Sequence, residues 1–193
     1  MTRVALGLLL AALSAAPARA QPTPASQAPP VAPAWKPFSE LAFVIGSWSG
    51  TATSGSRVGG HVARFAWEMN GTYLVHRGST IFASEEGKPE ETVEEVGYVS
   101  YDRERRKYQA SYFFSTGVSG IFDVEILGNG SIRMTAPALL NYEAGARWRL
   151  VFVRRADGGL DTAIEIALSG KDFVPYLTSG LKKKTAAPAP EAP

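Results

Sequence analysis

The sequence predicts an all-β fold, an antiparallel up-and-down barrel of about nine to ten strands with one short N-terminal helix. Three observations lead there. From Trp48 onward, helical periodicity disappears, and short runs rich in aromatic and β-branched residues recur. The links between these runs are of hairpin length and carry turn residues. The folded part, 38–180, holds 143 residues. So many strands in that length are expected to close on themselves, which removes exposed edges.

Residues 1–20, MTRVALGLLLAALSAAPARA, have the make-up of an export signal. Arg3 gives the positive start, Val4 to Ala16 the apolar stretch, and Ala18-Arg19-Ala20 the small-x-small cleavage site. The apolar run is shorter than the roughly 20 residues that span a bilayer. Cleavage after Ala20 leaves a mature chain with no integral membrane segment. The expected location is the periplasm in a Gram-negative host and the exterior otherwise. Residues 21–37, QPTPASQAPPVAPAWKP, are a Pro/Ala-rich stretch that cannot bury enough apolar surface to offset ordering entropy. They read as a disordered spacer, and 181–193, LKKKTAAPAPEAP, as a disordered Lys/Ala/Pro tail.

The domain starts with Phe38, Leu41, Ala42 and Ile45 at helical spacing, between Pro37 and Gly46. That predicts a helix of about two turns. Strand-like runs follow at 47–54, 60–69, 72–83, 93–101, 107–115, 118–127, 130–136, 145–154 and 159–168. Asn70-Gly71 and Asn129-Gly130 each sit between two runs and predict two-residue hairpin turns, which need positive φ at both positions. Residues 84–91, SEEGKPEE, and 154–159, RRADGG, read as further turns. The last run alternates Leu160, Thr162, Ile164 and Ile166 with Asp161, Ala163, Glu165 and Ala167, one face buried and one wetter.

Composition removes several function classes. There are no cysteines, so thiol nucleophiles, thiolate metal sites and disulfides are all absent. Six of the 20 basic residues (Arg3, Arg19, Lys36 and Lys182 to Lys184) and one of the 18 acidic residues (Glu191) lie outside 38–180. That leaves 14 against 17, a net of −3, so no nucleic-acid partner is expected. His61 and His76 are the only histidines, with no metal-ligand spacing, so no metal and no cofactor are expected. The stretch Gly46-Ser47-Trp48-Ser49-Gly50 is close to a hydrolase nucleophile elbow, but Trp48 holds the place of the serine. A helix also precedes it where a strand is required.

A short helix leading into Gly46-Ser47-Trp48 resembles the start of lipocalin-like (calycin) barrels. The wider pattern is F-x-x-L-x-F-x-x-G-x-W-x-G at 38–50, an F-x-W-E strand, G-x-Y-L-V-H-R at 71–77, E-E-V-G-Y-V-S-Y-D at 94–102 and K-Y-Q-A-S-Y-F-F-S at 107–115. It is similar to the family called domain of unknown function 1579, and in outline to nitrobindin-type barrels. The resemblance implies a barrel with an internal cavity, closed at one end by Trp48, and no particular activity. Nitrobindin-like proteins hold haem through a histidine near the C-terminus, and no histidine follows His76 here. Lipocalins pack a late arginine on the first tryptophan. Arg147 or Arg149 could take that part.

Alternating faces give a candidate ligand-binding lining of Phe65, Trp67, His76, Tyr98, Tyr112 and Phe114. The same aromatics could simply fill the core. His61, after Gly59-Gly60, reads as an exposed residue near a strand start. The leading functional expectation is an exported barrel holding a small lipophilic or aromatic ligand. The alternative is a non-enzymatic interaction or structural module of the cell envelope with a packed barrel. An enzyme using His76 is a third reading. Oligomeric state is not legible from the sequence.

Overall fold

A computed structural model describes residues 36–85, 87 and 89–185. The expected export signal, residues 21–35 of the expected spacer and residues 186–193 of the expected tail lie outside the described residues. Eleven strands follow one another: β1 (Gly46–Ser54), β2 (Arg57–Glu68), β3 (Tyr73–Phe82), β4 (Glu91–Asp102), β5 (Lys107–Phe114), β6 (Ser119–Ile126), β7 (Ile132–Ala136), β8 (Leu139–Leu140), β9 (Arg147–Arg154), β10 (Leu160–Ala167) and β11 (Val174–Lys183). Each pairs antiparallel with its neighbour, and β11 returns to β1, so ten strands close a barrel. The short β8 is an extra strand added to β6 at Ser119 and Gly120.

Alternation decides what is inside. In β2 the inward set is His61, Ala63, Phe65 and Trp67, and in β5 it is Tyr108, Ala110, Tyr112 and Phe114; all are buried. One end of the barrel is plugged. Leu41 and Val44 are fully buried there, and Trp48 Nε1 donates to the Val44 carbonyl at 2.6 Å. This segment, Lys36–Val44, winds as 3-10 turns, and no α-helix occurs among the described residues. The expected α-helical face is therefore replaced by one of period three: Leu41 and Val44 point in while Ala42 is exposed.

The largest departure from expectation is β11. From Thr178 on, its outward residues are polar or glycine, and Pro175 interrupts its pattern, so nothing in the sequence marked it as a strand. The proline lacks an amide donor, and the β10–β11 register shifts at Ile164/Glu165, opposite it. The strand runs three residues past the expected domain end at 180, so Leu181 to Lys183 belong to the barrel and not to a tail. Leu181 is fully buried, and Lys183 pairs with Trp48 in register, its Nζ 5.4 Å from the indole centroid. Lys183 thus covers Trp48, the part expected of Arg147 or Arg149. Those two arginines stack on Phe173 instead, at 5.0 and 3.8 Å from its ring.

The two Asn-Gly sites do turn the chain, but over longer loops. Glu68 pairs with Tyr73 across four residues, with Met69, Asn70 and Gly71 all at positive φ. Around Asn129 the side-chain carbonyl accepts from Ser131 N at 3.0 Å, and only Gly130 has positive φ.

Replacing Leu181 with Ala is expected to cost about 2–5 kcal/mol in urea unfolding, as for any buried leucine. A change within about 0.5 kcal/mol, the surface range, would contradict the placement of β11.

Candidate functional site

The barrel interior is graded. Around Trp48 it is apolar, with Trp67, Leu74, Val99 and Leu160 buried. At mid-height, aromatic rings fill the bore. His76 stacks on Phe65, its register partner, at 4.2 Å and 6°, and Phe152 meets both rings edge-on. Tyr112 packs edge-on against Phe122 at 5.4 Å. Above this level the lining turns polar: His61, Thr80, Ser179 and Glu95 all sit in the upper half.

Two imidazoles anchor that polar set. His61 Nδ1 and Ser179 Oγ lie 2.7 Å apart. The strand between them, β1, contributes only Gly50 and Ala52 to the inside here, so the two side chains meet across it. His76 Nδ1 lies 3.3 Å from the Tyr112 hydroxyl. In each ring Nε2 is buried and has no hydrogen-bond partner among the described residues. Glu95 Oε1 stands 3.7 Å from His76 Nε2, too far for a hydrogen bond.

Two glycines make room for this arrangement. A Cβ on Gly97 would overlap the Tyr112 ring, so the phenol lies flat over bare backbone. A Cβ on Gly78 would stand 2.6 Å from Glu95 Oε1, so the Glu95 carboxyl folds inward over that gap. Burial then sets protonation. It lowers His61 to about 4, and lowers His76 to about 3 with a second contribution from neighbouring His61. It pushes Glu95 up to about 7, and raises Tyr112 well above its usual value, with Glu95 adding to the rise. His76 and Glu95 are therefore close without forming an ion pair.

Above Glu95 the barrel opens into an enclosed cavity of about 50 Å³. Its walls include Arg57, Thr80, Phe82, Glu91, Glu95 and Tyr176. Arg57 clips the mouth: Nη1 donates to Glu91 Oε2 at 2.6 Å, Nη2 reaches the Pro89 carbonyl at 3.2 Å, and the guanidinium lies 4.9 Å from the Phe82 ring centre. Beside it Phe114, Tyr142 and Tyr176 ring Trp148.

Of the six residues expected to line a ligand site, Phe65, Trp67, His76, Tyr112 and Phe114 point inward and are buried. None of the six lines the cavity; they form the packed rings beneath and beside it. Tyr98 is on the outer face, paired with Val75 and Ser111, because the inward set of β4 is Val93, Glu95, Gly97 and Val99. His61 is buried, not exposed. Counting back by twos from Trp67 and Phe65 along β2 would have placed it inside. Glu95, Thr80, Ser179 and Arg57 carried no sequence signal of their own. Among the described residues no group of three or more metal-ligating side chains occurs, and no helix is long and apolar enough to cross a membrane.

No protein-family model matches the sequence, and no curated protein matches it. Among solved structures the chain is similar in fold to Rv2717c from M. tuberculosis. The TM-score is 0.56 at 14% identity, covering 77% of this chain and 97% of that one. That likeness supports the barrel fold.

The buried groups make stability depend on pH in a specific way. Unfolded, both histidines take protons below about 6.5 and Glu95 loses its proton above about 4.5. Folded, the rings stay neutral down to about 4 and 3, and Glu95 keeps its proton up to about 7. Between about pH 5 and 6 the unfolded chain holds two more protons on the histidines and one fewer on Glu95. These groups then make stability rise by about 1.4 kcal/mol per pH unit. Glu95→Gln removes the opposing proton, so the slope is expected to become about twice as steep. Urea unfolding of both forms at pH 5 and 6 reads this directly, and equal slopes would show that Glu95 is not held protonated.

Proposed function

We propose that this is an exported small-molecule-binding barrel of the lipocalin-like kind, related to the family called domain of unknown function 1579. Its ligand is a small, partly apolar molecule held in the upper half of the bore. The observation that supports this reading is the pair of buried imidazoles whose Nε2 atoms have no hydrogen-bond partner among the described residues, beneath a cavity walled by Thr80 and Glu95. A bore kept only for packing would gain by being apolar there, since an unmatched buried polar atom costs about 1–3 kcal/mol. The free space of about 50 Å³ sets the size of ligand that fits without rearrangement. Larger ligands enter if the Arg57–Glu91 clip opens. Glu91 is half exposed in that pair, whereas Arg57 is mostly buried and also holds the Ala83 and Pro89 carbonyls.

A second reading, an interaction module, has one observation in its favour. On the outer wall, Phe113, Ile121, Leu139 and Leu140 line an apolar groove of about 560 Å³. Exposed apolar surface of this kind marks contact sites.

Native mass spectrometry of the protein recovered from an exporting host separates the two readings. The binding barrel gives a mass beginning at Gln21, plus an adduct that disappears on denaturation. A bare oligomer would favour the groove, and a mass retaining residues 1–20 would contradict export by signal cleavage.

A further inference from the structure

Resting on the ligand-binding reading, we propose that the upper cavity takes a small organic ammonium cation, seated on the Glu95 carboxylate between aromatic walls. Glu95 is the observation that carries this. Its side chain is only 12% exposed, and it is turned inward over the bare backbone of Gly78 rather than out to solvent. Among the described residues its carboxyl accepts no hydrogen bond, and the basic side chain within 4 Å of it is His76, at 3.7 Å.

Every other titratable or charged group around it is committed or uncharged. From β2, Arg57 is matched by Glu91 and by the Ala83 and Pro89 carbonyls, and His61 is a neutral ring on Ser179. From β3, His76 is a neutral ring, and from β5, Tyr112 keeps its phenolic proton. From β11, Tyr176 is also uncharged at neutral pH. The cavity therefore holds two carboxyls, Glu91 paired with Arg57 and Glu95 with no cation of its own.

An ammonium ligand supplies what is missing. Its charge stabilises ionised Glu95 in a site shielded from water, where the attraction is strong. Its N–H groups have the Glu95 oxygens and the Thr80 hydroxyl as acceptors on the same wall. Its carbon faces Phe82 and Tyr176, rings that favour a cation. An anion would meet Glu95, and the Arg57 charge is already matched by Glu91. The cavity of about 50 Å³ restricts the ligand to about the size of methylammonium while the Arg57 clip is closed.

The chain has two histidines, so its imidazole NMR signals are few and the His76 ring serves as a reporter beside the site. Methylammonium chloride, methanol and sodium acetate are titrated separately at constant ionic strength, at pH 6 and pH 8. The expected result is a saturable His76 shift with methylammonium only, with affinity about tenfold higher at pH 8, where Glu95 is ionised. The shift disappears in Glu95→Gln. If that variant does not fold, the pH dependence of the unmodified protein decides. A saturable shift with methanol or acetate, or one with methylammonium that ignores pH, overturns the cation assignment and leaves the binding reading standing. No saturable shift with any probe overturns both.

Discussion

The pairing of β11 with β1 is the constraint on which the rest depends. Without it the sheet has two open edges and no inside. With it, Ser179 comes within reach of His61, Lys183 covers Trp48, and Leu177 and Tyr176 complete the wall above Glu95. The strand that does this is among the least strand-like in the sequence. It is broken by Pro175, is polar or glycine on its outer side from Thr178 on, and ends in a lysine run. Its place is set by its partners: Leu177, Ser179 and Leu181 alternate into a bore that nine other strands have already shaped.

Closure also separates the bore into two chemical regions. Near Trp48, apolar side chains and the 3-10 segment fill the space, and the region serves as an anchor. Away from that end, small residues stand at Ala52, Gly78 and Gly97. Where β-carbons are missing, polar side chains have turned inward to occupy the volume. Gly78 and Gly97 thus mark where the barrel gave up packing to hold Glu95 and Tyr112. Neutral imidazoles and a carboxyl poised near neutrality are the consequence, because burial penalises the charged form of each.

Much of the fold was legible because its signals are local. Alternation placed nine of the ten barrel strands to within a few residues, and the same alternation gave the inward faces of β2, β3 and β5. It failed in β4 for a physical reason. The two faces there, Val93-Glu95-Gly97-Val99 and Glu94-Val96-Tyr98-Ser100, are nearly equal in hydrophobicity, so only the neighbouring strands decide which is inside. Choosing Tyr98 hid Glu95, and with it the cavity. His61 was hidden by Gly59-Gly60, which read as the start of a strand, whereas β2 begins at Arg57 and both glycines pair with β1 inside it. The polar cluster itself is assembled from β2, β3, β4, β5 and β11. Contacts at such sequence distances leave no mark on any single segment.

Barrel closure shows most directly in the charge state of the two buried rings. The measurement is the pH titration of the His61 and His76 imidazole signals in the ligand-free protein, from pH 4 to pH 8. If the barrel closes as described, neither ring takes up a proton above about pH 5, since burial lowers them to about 4 and about 3. Titration of either ring near 6.5, the value of a solvated imidazole, would contradict it, because that ring would then be open to water.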